Sequence, residues 1–101
     1  MINNLSQLKK AMQKGAKFRI LNHKKPECIG EIRTVNVVQT NGFYSYVDNP
    51  NHKSYLANDG KGLWYAYGKA SDYEFDNGKI SMYRNFNQVH ELVMTIKMME
   101  D

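Results

Sequence analysis

Cys28 is the only cysteine in the chain, and it could in principle act as a nucleophile with His23, His52 or His90 as its base. Such chemistry also needs a third group to orient the base. Nothing around Cys28 matches a nucleophile signature, so a buried or edge thiol is the expectation instead. His23 and Cys28 stand five residues apart with no second pair at ligand spacing, which gives no basis for a metal site. Asp72, Glu74 and Asp76 recur at period two, the spacing of one strand face. There they read as the solvated edge of a hairpin rather than as an acid and base pair. Gly60, Gly62 and Gly68 neither follow phosphate-loop spacing nor precede a helix. These residue types point to a protein that is not an enzyme and that holds no cofactor and no metal.

The remaining constellation is aromatic and basic. Tyr44, Tyr46, Tyr65 and Tyr67 fall in two short runs of strand character, and tyrosines exposed on a rigid scaffold make good anchors for a protein partner. Lys24, Lys25 and Arg33 lie near the first run and offer cations for phosphate, so nucleic-acid binding is the alternative function. The Asn41 to Val47 stretch is similar to the aromatic strand of an RNA recognition motif only in part. Tyr44 is one residue too many, and the βαββαβ order is missing. Aromatic residues also stabilise strands simply by packing across them, which is the structural alternative for all four tyrosines.

Two Asn-Gly dipeptides, Asn41-Gly42 and Asn77-Gly78, organise the elements that would position these residues. Both central residues of a type I′ turn need φ > 0, which Asn and Gly tolerate, so each dipeptide predicts a tight β-hairpin. With Asn41-Gly42 as the loop, Thr40 opposes Phe43, Gln39 opposes Tyr44, Val38 opposes Ser45 and Val37 opposes Tyr46. Arg33, Val35, Val37, Gln39, Tyr44 and Tyr46 then share one face. In the second hairpin Asp76 opposes Lys79, and Tyr73, Phe75, Ile80 and Met82 share a face. Leu5, Leu8, Ala11 and Met12 recur at helical spacing, with Asn3 or Asn4 as cap and Gly15 as terminator, predicting a helix over 4–14. A first strand follows Ala16, and Lys24-Lys25-Pro26 interrupts it. A second strand runs over 29–40 with Gly30 as a bulge. A third covers 62–67, and the segment from Leu92 onward alternates as a closing strand, with a helix as the alternative because Glu, Leu and Met are good helix formers. The stretch 48–62, rich in Asn, Asp, Pro, Gly and Lys, is long for an idle connector. The predicted fold is α+β: a single domain over 1–101, with one N-terminal helix packed on an antiparallel sheet of five or six strands.

The chain has 101 residues and a mass of 11.7 kDa, with 42% hydrophobic and 24% charged residues, which suits one modest core. No apolar run approaches the stretch of about 20 residues needed to cross a bilayer, and the N-terminus lacks a secretion signal. With a lone cysteine, these features predict a cytoplasmic protein with no membrane association. The net charge of +4 is uneven. Residues 1–40 carry eight bases against two acids, a balance of +6, and residues 41–101 carry six bases against eight acids, a balance of −2. A field localised in this way favours an anionic partner, although a solvated lysine-rich helix face is the plainer account of it.

Gly15-Ala16-Lys17-Phe18, Gly30-Glu31-Ile32-Arg33-Thr34-Val35 and Val38-Gln39-Thr40-Asn41-Gly42-Phe43-Tyr44, followed by Trp64, Lys69-Ala70 and the later hairpin, resemble small accessory proteins of phages and plasmids of low-GC Gram-positive bacteria. The likeness covers most of the chain and is one of strand pattern, so it transfers no active site. It implies a non-catalytic, partner-binding role in a mobile element, regulatory or directed against host defence.

Overall fold

The first helix is shorter than its periodicity allows because the sheet claims its last turn. In the computed structural model, which describes residues 1–99, α1 spans Leu5–Ala11. Asn4 caps it by accepting the Gln7 N–H at 2.8 Å, and the Gln7 side chain in turn accepts the Asn3 N–H at 2.7 Å. Gly15, at φ +93°, already donates its N–H to the Val35 carbonyl, and Val35 donates back to Ala16. The chain therefore leaves the helix after Ala11 rather than near residue 14. Leu8 and Met12 are fully buried beneath it.

Seven strands follow: β1 (Lys17–His23), β2 (Ile32–Gln39), β3 (Gly42–Val47), β4 (Leu63–Ala66), β5 (Tyr73–Asp76), β6 (Lys79–Phe86) and β7 (Val89–Met98). They form one antiparallel sheet in the order β4-β3-β2-β1-β7-β6-β5. The fold is α+β, but the sheet has seven strands and not five or six. Ten-residue β7 is the reason, since it pairs with β1 on one side and β6 on the other and so joins both hairpin regions into one sheet. β6 and β7 are linked by a turn at Asn87-Gln88, where both residues take positive φ, 49° and 69°.

The second strand begins at Ile32 rather than near residue 29, because Pro26–Cys28 forms a 3₁₀ turn. Gly30, at φ +92°, and Glu31 both hydrogen-bond to Ile20, which is the two-against-one pattern of a bulge.

The two Asn-Gly dipeptides differ. Asn77 and Gly78 take φ of 49° and 83° between the paired residues Asp76 and Lys79, as a type I′ turn requires. The first reversal instead occupies Thr40 and Asn41, and Gly42 belongs to β3, opposite Gln39. A Cβ on Gly42 would lie 2.2 Å from the Tyr65 carbonyl oxygen and 2.6 Å from the Trp64 ring, so glycine is there to let β4 approach. Val38 consequently opposes Phe43 and Val37 opposes Tyr44. Asn36 is an extra residue between the pairs Val35↔Ser45 and Val37↔Tyr44. This insertion reverses the alternation, so Val35 is buried inside while Val37 joins Tyr44 outside, and the predicted common face does not form.

The inner face packs Phe18, Ile20, Val35, Phe43, Ile80, Met82, Met94 and Ile96 against Leu8 and Met12. Burying each such side chain contributes roughly 1.5–3 kcal/mol. The sheet curls until its edges meet. The Tyr65 hydroxyl on β4 lies 3.1 Å from that of Tyr73 on β5, and Tyr73 donates to the Tyr67 carbonyl. No helix among the described residues is long and apolar enough to cross a membrane.

Candidate functional site

Strand alternation sends Phe43, Ser45 and Val47 inward and Tyr44 and Tyr46 outward. Trp64 on β4 faces Tyr44 across the strand pair, with ring centroids 4.8 Å apart. The Lys61 ammonium sits 5.7 Å from the Tyr44 ring centre, within cation–π range. Tyr46 stacks on Tyr55, which the segment between β3 and β4 supplies from a 3₁₀ turn at Lys53–Tyr55; their centroids are 4.6 Å apart and their planes 17° from parallel.

That connecting segment is fastened to the sheet. The Tyr46 hydroxyl donates to the Gly60 carbonyl and accepts from the Asn36 amide at 2.8 Å, and the same amide donates to the Lys61 carbonyl at 3.0 Å. Asn36, the extra residue of β2, is thus aimed at the loop by its bulge. Fully buried Ser54 accepts the Val47 N–H at 3.0 Å, and Asn58 donates to the Gly62 carbonyl at 2.8 Å. The result is a preformed aromatic patch. Trp64 and Tyr55 each retain 37% exposure, and Leu56, next to Tyr55 in the chain, is 85% exposed. Next to Tyr46, Thr34 hydrogen-bonds Asp48 at 2.6 Å, and the Lys17 ammonium reaches Asp48 at 2.6 Å. Desolvation pushes the Asp48 carboxyl up, but the hydrogen bonds from Lys17 and Thr34 outweigh it and hold it below the usual carboxylate range.

The four tyrosines of the sequence reading do not share this surface. Tyr65 and Tyr67 lie on the inner side, with centroids 5.4 and 5.8 Å from Phe43, and Tyr67 is only 2% exposed. Burial raises the pKa of both phenols, and of Tyr73 with them. They belong to the core and to the closure of the sheet. Trp64, Tyr55 and Leu56 take their place outside. The outward place of Trp64 follows only from the register of β4 on β3, and nothing in the irregular 48–62 stretch marks Tyr55 and Leu56.

The three cations of the alternative reading are not gathered either. Arg33 is buried and holds Glu31 at 2.9 Å, so its charge is already matched. Lys24 lies 3.2 Å from Glu91 and 3.7 Å above the centre of the Phe86 ring. Lys25 is exposed.

Cys28 lines a cleft with His23, Glu31, Arg33 and His52. Burial and the Glu31 charge push its thiol up, opposite to what a thiolate nucleophile requires. Burial and the neighbouring Arg33 pull His23 down. Among the described residues, no group of three His, Cys, Asp or Glu side chains is placed to hold a metal ion. Comparison with protein-family models, curated proteins and solved structures finds no match for this chain.

Proposed function

We propose that the protein is a non-catalytic binding module that recognises a protein partner through the outer patch of Tyr44, Trp64, Tyr46, Tyr55 and Leu56. The observation that carries this reading is that bulky apolar groups stay exposed on a patch whose backbone and rings are already fixed. Preformed aromatic anchors lose little conformational freedom on binding, and Trp and Tyr dominate the energetics of protein interfaces. Tyr46 and Tyr55 stack on one another and the Trp64 ring leans on Tyr44 at 50°, with apolar area left outward. Together with the exposed Leu56 side chain, that area suits apolar side chains of a protein. Following the resemblance in strand pattern, the partner would be a host or phage factor that the protein regulates or blocks.

Capture from a bacterial lysate with immobilised full-length protein, with and without nuclease, tests the reading. A protein that is retained after nuclease treatment and released by Trp64→Ala with Leu56→Ala is the expected result, with a loss on the order of 2 kcal/mol in affinity. Capture that survives both substitutions, or that nuclease abolishes, would overturn it.

A further inference from the structure

The outer face carries a second feature beyond β2. Arg19 on β1 lies opposite Lys97 on β7, and Lys97 lies opposite Lys79 on β6. The adjacent row Ile20, Ile96 and Ile80 is fully buried, so alternation sends all three cations outward, where each is exposed. Among the described residues, none of the three takes part in an ion pair. Like charges directly opposite on neighbouring strands weaken a sheet, and in this row only Lys79 has an opposite charge across from it, Asp76 on β5.

The row also has ends. Asp76 on β5 stands opposite Lys79, and on the other side Ile32 pairs with Arg19, with Asp48 bonded next to Ile32. The cations therefore span three strands, about 10 Å at ordinary strand spacing, with Asp76 and Glu74 of β5 beyond one end and Asp48, paired with Lys17, beyond the other.

We infer that Arg19, Lys97 and Lys79 dock a short acidic segment of the protein partner, an inference that rests on reading the outer face as a protein interface. Carboxylates on one side of an extended peptide recur about every 7 Å, so two of them fit a row of this length. The flanking residues Ile32, Ser81 and Thr95 offer no ring on which a base could stack. The division of labour is then that the cations steer and orient the partner while the aromatic patch anchors it.

The test titrates hexaglutamate into the full chain at low ionic strength while backbone amide shifts are read, with a six-nucleotide oligothymidylate in parallel. Hexaglutamate should shift residues 19, 79 and 97. Its affinity should fall at least about tenfold in Arg19→Thr, Lys79→Thr, Lys97→Thr, whereas removing the same charge on and just after the helix by Lys9→Gln, Lys10→Gln, Lys14→Gln should change it less than about twofold. With the repulsion gone, the row variant should melt no lower than the parent. Equal losses in both variants, or tighter binding of oligothymidylate at the row, would overturn the inference. Hexaglutamate does not require Trp64, so a failed titration counts against the row alone, and capture unaffected by Trp64→Ala counts against the aromatic reading alone.

Discussion

Asn41-Gly42 and Asn77-Gly78 are the same dipeptide in the same kind of strand context, yet only the second forms the turn its chemistry favours. At Asn77-Gly78 the turn lies at the edge of the sheet, and a Cβ on Gly78 would meet nothing closer than the Met1 side chain at 3.9 Å. Local preference decides there. At Gly42 a neighbouring strand and the Trp64 ring come closer than any side chain permits, so the glycine is recruited to the sheet and the reversal moves back by one residue. The lesson is that glycine has two separate uses, backbone freedom and absence of bulk, and tertiary packing selects between them.

Substitution can break this comparison. Gly42→Ala should have the largest effect, about 3 kcal/mol or more of lost stability, because β4 must move away and the Tyr44–Trp64 contact opens with it. Urea denaturation, read together with tryptophan fluorescence, checks both consequences. Gly78→Ala should cost only about 1 kcal/mol, the strain of a positive φ, and leave the tryptophan signal unchanged. Equal costs at the two sites would mean that both glycines serve the turn.

The asparagines sharpen the contrast at smaller scale. Asn77→Ala should cost about 1 kcal/mol because φ is 49° there, whereas Asn41→Ala should stay within about 0.5 kcal/mol, its φ being negative. Matched denaturation curves of the two variants measure the difference.

The smallest expected effect is on pH dependence, and it compares the same two regions of the sheet. Asp48 sits beside β2 and β3. Asp72, just before β5, is held below the usual carboxylate range by the Lys69 backbone N–H, with Arg84 and His90 adding to it against desolvation. A carboxyl whose folded pKa is depressed stabilises the fold above its unfolded pKa, about 3.9, and loses that contribution as pH falls toward the folded value. Stability should therefore decline below about pH 4, and Asp48→Asn and Asp72→Asn should each flatten part of that decline in a series of denaturation curves. An acid limb unchanged by both substitutions would remove these carboxylates as its cause.

Much of the architecture was legible because it rests on local rules. The helix cap at Asn4, the bulge at Gly30, the Asp76↔Lys79 pair and the alternation of the closing strand all follow from residues close in sequence. What escaped was non-local. The Asn36 insertion reverses which residues face outward, and only its partners Tyr46 and Lys61 on the far side of the loop explain it. Tyr65 and Tyr67 could not be assigned to the interior without knowing that β4 comes round to meet β5. The Asn87-Gln88 turn lacks glycine, and Gln at φ 69° carries no composition signal. For the candidate patch, the outward placing of Tyr44 and Tyr46 was readable from strand alternation, while the cation row depends on strands far apart in sequence lying side by side.

The contact between the Tyr65 and Tyr73 hydroxyls gives the molecule a clasp. A flat sheet can fray from either margin, one strand at a time, and a frayed margin can recruit a strand from another molecule. With its two margins in contact, this sheet gives each outer strand one further bond, worth about 1 kcal/mol, to break before it peels.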